Sequence, residues 1–339
     1  MGAEARNRDG PVAALKKVAE TFAVSLTPHL QAQIDPRDPL DPVARQFLPD
    51  ARELEVHPHE LADPIGDDAH SPVPGIVHRY PDRVLLKLVN VCPVYCRFCF
   101  RRETVGPGSR GLAGAELDTA IDYIAKHPDI WEAILTGGDP LIVSPRRLGE
   151  IIARLNAIPH LGVIRIHSRV PVVDPGRVAP EMVAALKGRK PVWLLLHANH
   201  AAEFVPEAQA AIARLVDAGI PVLGQSVLLK GVNDSPEALT DLFRAMVANR
   251  IKPHYLHHGD LARGTAHFRI SLEEGQRLVA ALRGRVSGLA QPTYILDIPG
   301  GHGKIPVGPV YATPQEDGAW TVTDPWGCMH RYDDPAVKR

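Results

Sequence analysis

The stretch Arg83-Val-Leu-Leu-Lys-Leu-Val-Asn90 runs, after Val91, into Cys92-Pro-Val-Tyr-Cys96-Arg-Phe-Cys99. The first part is an apolar, partly β-branched run of strand length. The second part places three thiols just past that strand's C-terminal end. Working outward from this stretch, the same rhythm continues. Apolar runs recur at 133–136, 163–167, 192–197, 221–229 and 254–257. Amphipathic segments alternate with them at 115–126, 145–157, 180–187, 206–218, 236–249 and 272–282. Six strand–helix units in succession predict an α/β fold with a parallel sheet, curled into a partial (βα)6 barrel of the TIM type. Such barrels place their chemistry at the C-terminal ends of the strands. A seventh apolar run, 293–298, leads into a glycine-rich loop.

The flanks read differently. Residues 1–75 form an N-terminal extension, with helical spacing at 14–24 (ALKKVAETFAV) and then Pro-rich, acidic stretches at 36–42 and 58–74. Residues 76–290 form the core barrel. Residues 291–339 form a short C-terminal segment with a polar, Pro-containing end. Proline, 32 residues in all, punctuates elements rather than forming a tract.

Composition narrows the function. The 339 residues are 45% hydrophobic and carry 38 Lys plus Arg against 39 Asp plus Glu. A net charge of −1 gives no global positive field, so neither nucleic acid nor a membrane is an expected partner. No apolar run approaches the ~20 residues that span a bilayer. The start, Met1-Gly2-Ala3-Glu4-Ala5-Arg6, has no apolar signal core, and Arg6 breaks the myristoylation pattern. A cytoplasmic location is expected.

Of the four cysteines, Cys92, Cys96 and Cys99 share one loop and Cys328 stands apart. Three thiolates on one loop can hold three corners of an iron–sulfur cubane. A fourth iron is then left open, which marks a reactive centre. The alternatives are a structural zinc completed by a histidine or Cys328, or three unrelated thiols. The three-then-two spacing weighs against zinc, which favours paired C-x2-C arms. The second loop with chemistry is Asp297-Ile-Pro-Gly300-Gly301-His302-Gly303-Lys304. It is not a phosphate-binding P-loop, because positions 298 and 305 are both Ile. Its Lys304 is either a solvated turn residue or an amine that joins pyridoxal phosphate (PLP).

The C-x3-C-x2-C loop resembles that of the radical S-adenosylmethionine (SAM) enzymes. Thr136-Gly137-Gly138-Asp139-Pro140 resembles their Gly-Gly turn. With the Lys304 loop, the chain resembles the lysine 2,3-aminomutase family over about 41–311, through 41–50 (DPVARQFLPD), 77–85 (VHRYPDRVL), 92–102, 134–141 (ILTGGDPL), 165–173 (RIHSRVPVV), 225–234 (QSVLLKGVND), 259–269 (GDLARGTAHFR) and 297–306. The resemblance implies a [4Fe–4S] cluster on Cys92, Cys96 and Cys99, with SAM as radical source. It also implies PLP on Lys304 and a 2,3-amino shift that turns L-lysine into β-lysine.

It further implies Arg101 at the substrate carboxylate, and Asp260 and Asp297 at the distal ammonium. Arg79, Tyr80, Arg83 and Gln225 fall near PLP, and Gly137, Gly138, Asp139 and His197 near SAM. The bland alternative for the two aspartates is that they cap loops or helices. A small amino acid substrate, a flavodoxin- or ferredoxin-type reductant and a homo-oligomer are implied as partners. The Gly-rich loop and Asp297 favour free lysine. The short chain favours the branch that serves elongation factor P, and a related diamino acid is a further alternative. The family's structural zinc is expected to be absent. Only Cys328 remains in the tail, with His330 beside it as the other potential ligand, and Ser235 stands where a further zinc cysteine would be. A non-catalytic module is disfavoured by the intact cysteine triad, Lys304 and both aspartates.

Overall fold

The computed structural model describes residues 10–336. The extension contributes α1 (Gly10–Thr21), α2 (Pro28–Gln31) and α3 (Pro42–Phe47), joined by turns and 3-10 segments. A hairpin follows, β1 (Ile76–Tyr80) and β2 (Arg83–Val89). The alternating body is α4 (Ala115–Lys126), β3 (Glu132–Gly137), α5 (Pro145–Asn156), β4 (Val163–Ser168), α6 (Val170–Val173), α7 (Pro180–Ala185), β5 (Val192–His197), α8 (Pro206–Asp217), β6 (Val222–Val227), α9 (Pro236–Ala248), β7 (Lys252–His257), α10 (Leu272–Ala280) and β8 (Thr293–Asp297). β9 (Lys304–Pro306), β10 (Ala312–Pro314), β11 (Trp320–Thr323) and β12 (Met329–Tyr332) complete the chain.

β1 to β9 form one sheet in sequence order. β2 through β8 are parallel, and the antiparallel β1 and β9 flank them. This is the expected barrel of six strand–helix units plus a seventh strand. Each helix buries an apolar stripe on the sheet, as with Leu148, Ile151, Ile152 and Leu155 of α5. Serine caps start several of them. Ser144, Ser235 and Ser271 each accept a backbone N–H of the first turn. On β2 the odd positions from Arg83 face away from the helix layer, while Val84, Leu86 and Leu88 are buried beneath it. The period of two turns Arg83, Leu85, Lys87 and Val89 to the inner face.

Two edges depart from expectation. β1 falls just past the extension, and its pairing with β2 was not read from the sequence. The sheet also runs past residue 291 through β8 and β9, so the separate C-terminal unit is the meander β10–β12. No helix among the described residues is long and apolar enough to cross a membrane.

The sheet curls enough for one hydrogen bond to link its two outer strands. The Lys304 N–H of β9 donates to the Tyr80 hydroxyl of β1 at 2.8 Å. The extension covers this seam. Gly300 N–H donates to Pro64 O, and the His70 ring bonds Gly301 O at 3.2 Å. Gly66 has φ +66°, and a Cβ there would stand 2.6 Å from Gly301 N, so only glycine permits the approach.

Candidate active site

The cysteine loop is held from outside. Arg97 N–H donates to Gln46 O at 2.8 Å, and the Arg97 guanidinium reaches Ala23 O at 2.7 Å. Glu53, in a 3-10 turn of the extension, is fully buried and takes both Arg97 and Arg102. Arg102 also reaches the carbonyls of Arg97 and Gly264. Cys92, Cys96 and Cys99 are half-buried free thiols. Burial pushes all three above the usual thiol range, Cys96 to about 11. Arg169 lies beneath them, with Nη1 3.6 Å from Cys96 Sγ. The same guanidinium is fixed by Glu203 and Gln46.

The Gly-Gly turn packs on the chain entering this loop. Gly138 N–H donates to Val89 O, and a Cβ at Gly138 would stand 2.1 Å from Val91 O. Asp139 is a structural cap. Its carboxylate accepts from Ser168 Oγ at 2.8 Å and from the N–H groups of Leu141, Arg169 and Val170. Its oxygens are taken, so the turn offers a ligand its backbone rather than this carboxylate.

At the other side of the mouth, Asp297 ends β8 and Lys304 opens β9, directly opposite in register. Lys304 Nζ donates to Asp297 Oδ1, and His257 Nδ1 lies 3.1 Å from Oδ2. Burial would raise the Asp297 carboxyl. The His257 hydrogen bond and the Lys304 charge outweigh it and bring it to about 2. Asp260, three residues past β7, goes the other way. Burial and the Asp297 charge raise it, Lys304 and Arg101 oppose, and it rests at about 7.

Arg101 is within electrostatic reach of Asp260 but gives Nε and Nη2 to Asp67, at 3.1 and 2.9 Å. Its Nη1 lies 3.4 Å from Thr136 Oγ1, at the end of β3. Arg79 shares Asp67, reaches Ile65 O and keeps a buried Nε with no partner. Burial alone would raise the Asp67 carboxyl, but Arg101, Lys87 and Arg79 hold it low.

His197 lies beside Gln225 in register, and its ring is 3.4 Å from that of His167. Burial drives the His197 imidazole down to about 3, so it is neutral. Arg83 stands apart. It pairs with Asp82 at the entry end of β2 and stacks 3.8 Å over the Tyr80 ring. It meets the Lys304 loop only through Tyr80.

Sequence reading missed Asp67, His257, Arg169 and the Glu53 pair. Only His257 left a signal, sharing a strand face with Tyr255 at the mouth. Of the zinc positions, Ser235 caps α9 and Cys328 is exposed. His330 is turned to Asp324 at 2.9 Å. Among the described residues, no three His, Cys, Asp or Glu side chains converge tightly enough for one metal ion. A cubane has no such need, because its four irons spread the thiolates. Three free thiols with a buried guanidinium at one sulfur fit that cluster.

Residues 86–243 match the radical SAM superfamily, and 279–337 match the family described as lysine-2,3-aminomutase. The L-lysine 2,3-aminomutase of Clostridium subterminale is 42% identical over 316 residues, covering 93% of this chain and 76% of that protein. The chain belongs to the lysine 2,3-aminomutase family. The Fusobacterium nucleatum L-lysine 2,3-aminomutase is 41% identical over 94% of this chain and 75% of its own length. A glutamate 2,3-aminomutase of Clostridioides difficile is 35% identical over 95% and 76%. Membership makes the chain an isomerase of the radical SAM type, and the family uses a [4Fe–4S] cluster, SAM and PLP. The residues fit PLP as well. Lys304 is a primary amine at the mouth, and the orphaned Arg79 Nε is a buried donor suited to a phosphate oxygen.

Proposed function

We propose that this chain converts free L-lysine to β-lysine by moving the 2-amino group to carbon 3. The observation that carries the substrate is the pair Asp260 and Asp297, set within electrostatic reach of each other and of Lys304 at one end of the mouth. A distal ammonium satisfies two carboxylates. A distal carboxylate would bring a further negative charge against Asp297 and Asp260, which argues against glutamate. Arg101 is the cation for the α-carboxylate, with Nη1 turned toward Thr136 and the rest of its fork fixed by Asp67.

When bound, the cluster and SAM supply a carbon-centred radical, and PLP carries the migrating nitrogen. The chain's own residues do the rest. Cys92, Cys96 and Cys99 would hold three irons, and the Gly137–Gly138 turn with His197 would line the SAM side. Lys304 is the attachment point for PLP, and Tyr80, Gln225 and Arg79 surround it. Tyr80 fixes the backbone at Lys304 and so positions that amine at the mouth. A flavodoxin- or ferredoxin-type donor is the proposed electron source, the cytoplasm the proposed location and a homo-oligomer the proposed assembly.

The test is anaerobic incubation with PLP, SAM, a strong reductant and L-lysine, with L-glutamate in parallel. Expected is β-lysine in many-fold excess over SAM consumed, and no β-glutamate. 5′-Deoxyadenosine without β-lysine overturns the substrate assignment. Lys304→Ala should abolish the borohydride-trapped PLP adduct while leaving the iron content unchanged.

A further inference from the structure

His257 ends β7 with 7% of its surface exposed. Its neighbour Leu256 is wholly buried in the apolar core beneath the helices. The strand's alternation therefore turns His257 to the inner face, and it pairs in register with Ile295, two residues before Asp297. The charge on Asp297 settles the tautomer. Facing a carboxylate, Nδ1 carries the hydrogen and donates, so Nε2 is left as a lone-pair acceptor. That Nε2 is buried and has no partner in the chain.

A buried acceptor without a donor is unstable unless a ligand supplies one. Among the described residues no side chain donates to it, the neighbouring Tyr255 ring included. Asp297 is ionised and accepts, and Lys304 Nζ is committed to Asp297 Oδ1. An ammonium brings three N–H donors. Asp260 and Asp297 account for two, and a third acceptor completes the set. The Lys304 ammonium already shows that Asp297 accepts such a group.

We propose that His257 Nε2 is the third acceptor for the distal ammonium of the substrate, and that it selects a primary ammonium over a substituted or neutral end. This rests on the lysine reading given above. His257 thus has two roles, orienting Asp297 through Nδ1 and binding substrate through Nε2.

The test uses the protein with its cofactors bound and three probes. These are hexanoate, 6-aminohexanoate (lysine without its α-amine) and 6-(methylamino)hexanoate, titrated calorimetrically. The wild type should bind 6-aminohexanoate more tightly than hexanoate. Equal binding of those two overturns the lysine reading itself. His257→Phe should weaken 6-aminohexanoate about tenfold and leave hexanoate unchanged. N-methylation, which removes one donor, should cost the wild type severalfold and the Phe variant little. The same methylation penalty in both proteins would leave His257 as a support for Asp297 only and overturn the proposal. A second measurement needs no variant. The 15N shift of His257 Nε2 in the wild type should move to that of a bonded acceptor when 6-aminohexanoate is added, and an unmoved shift refutes the contact. His257→Gln, which keeps one donor and one acceptor, should restore part of the selectivity.

Discussion

Asp260 and Asp297 are the same side chain in reach of the same cations, yet they titrate far apart. Asp297 has a hydrogen bond from His257 and an ion pair with Lys304, and falls to about 2. Asp260 has burial and a negative neighbour, and rises to about 7. Near neutral pH the free protein therefore holds a proton on Asp260 that a bound ammonium must displace. Lysine binding should tighten as pH rises from 6 to 8 and should release up to about three-quarters of a proton at pH 6.5. Calorimetry in buffers of different ionisation heat measures this, and Asp260→Asn should abolish the proton release. The same shift acts on stability. Asp260 binds its proton more tightly folded than unfolded, so its contribution is full below about 3.8 and is lost as pH rises through 7. Asp260→Asn should then gain stability relative to wild type between pH 6 and 8 and none at pH 4. Both aspartates were singled out by the family resemblance, and the apolar run before each put them at one mouth. Asp67 was not. It lies in a Pro-rich acidic stretch, and its partners Arg79 and Arg101 stand 12 and 34 residues away.

The extension is a clamp made of short elements. Its hold on the cysteine loop is the buried Glu53 with Arg97 and Arg102. Glu53→Gln leaves two interior guanidiniums facing a neutral group. The expected loss is about 3–5 kcal/mol of unfolding free energy, read from denaturant midpoints of the cofactor-free protein. Iron retention should fall in step. Strands and helices of the body were legible to within a few residues, since each buries one face and carries the matching period. The short β1 was not, because five residues on a sheet edge give too few repeats to show alternation. The meander was not either. β10 and β12 are exposed along their lengths and carry no buried stripe. The Glu53 clamp is likewise invisible in sequence, because a glutamate in a polar extension reads as solvated until its arginine partners are placed.

At the scale of the whole molecule, the seam between β1 and β9 decides whether the mouth is a closed site. Tyr80→Phe removes one hydrogen bond to the Lys304 backbone, worth about 0.5–1.5 kcal/mol. Gly66→Ala forces a Cβ against the 300–301 backbone at a positive φ, which costs more, about 1–3 kcal/mol for the strained conformation alone. Both variants should lose PLP retention, Gly66→Ala more severely, while the iron on the cysteine loop stays bound. Parallel loss of iron and PLP would mean that the two loops are not independent. The seam also sets a schedule for biosynthesis. Lys304 and its Tyr80 partner are 224 residues apart in the chain. A nascent polypeptide has its cysteine loop finished long before the strand that carries Lys304 leaves the ribosome. During that interval the three sulfur ligands exist while the amine that would take PLP does not, so the order of synthesis favours loading the cluster before PLP.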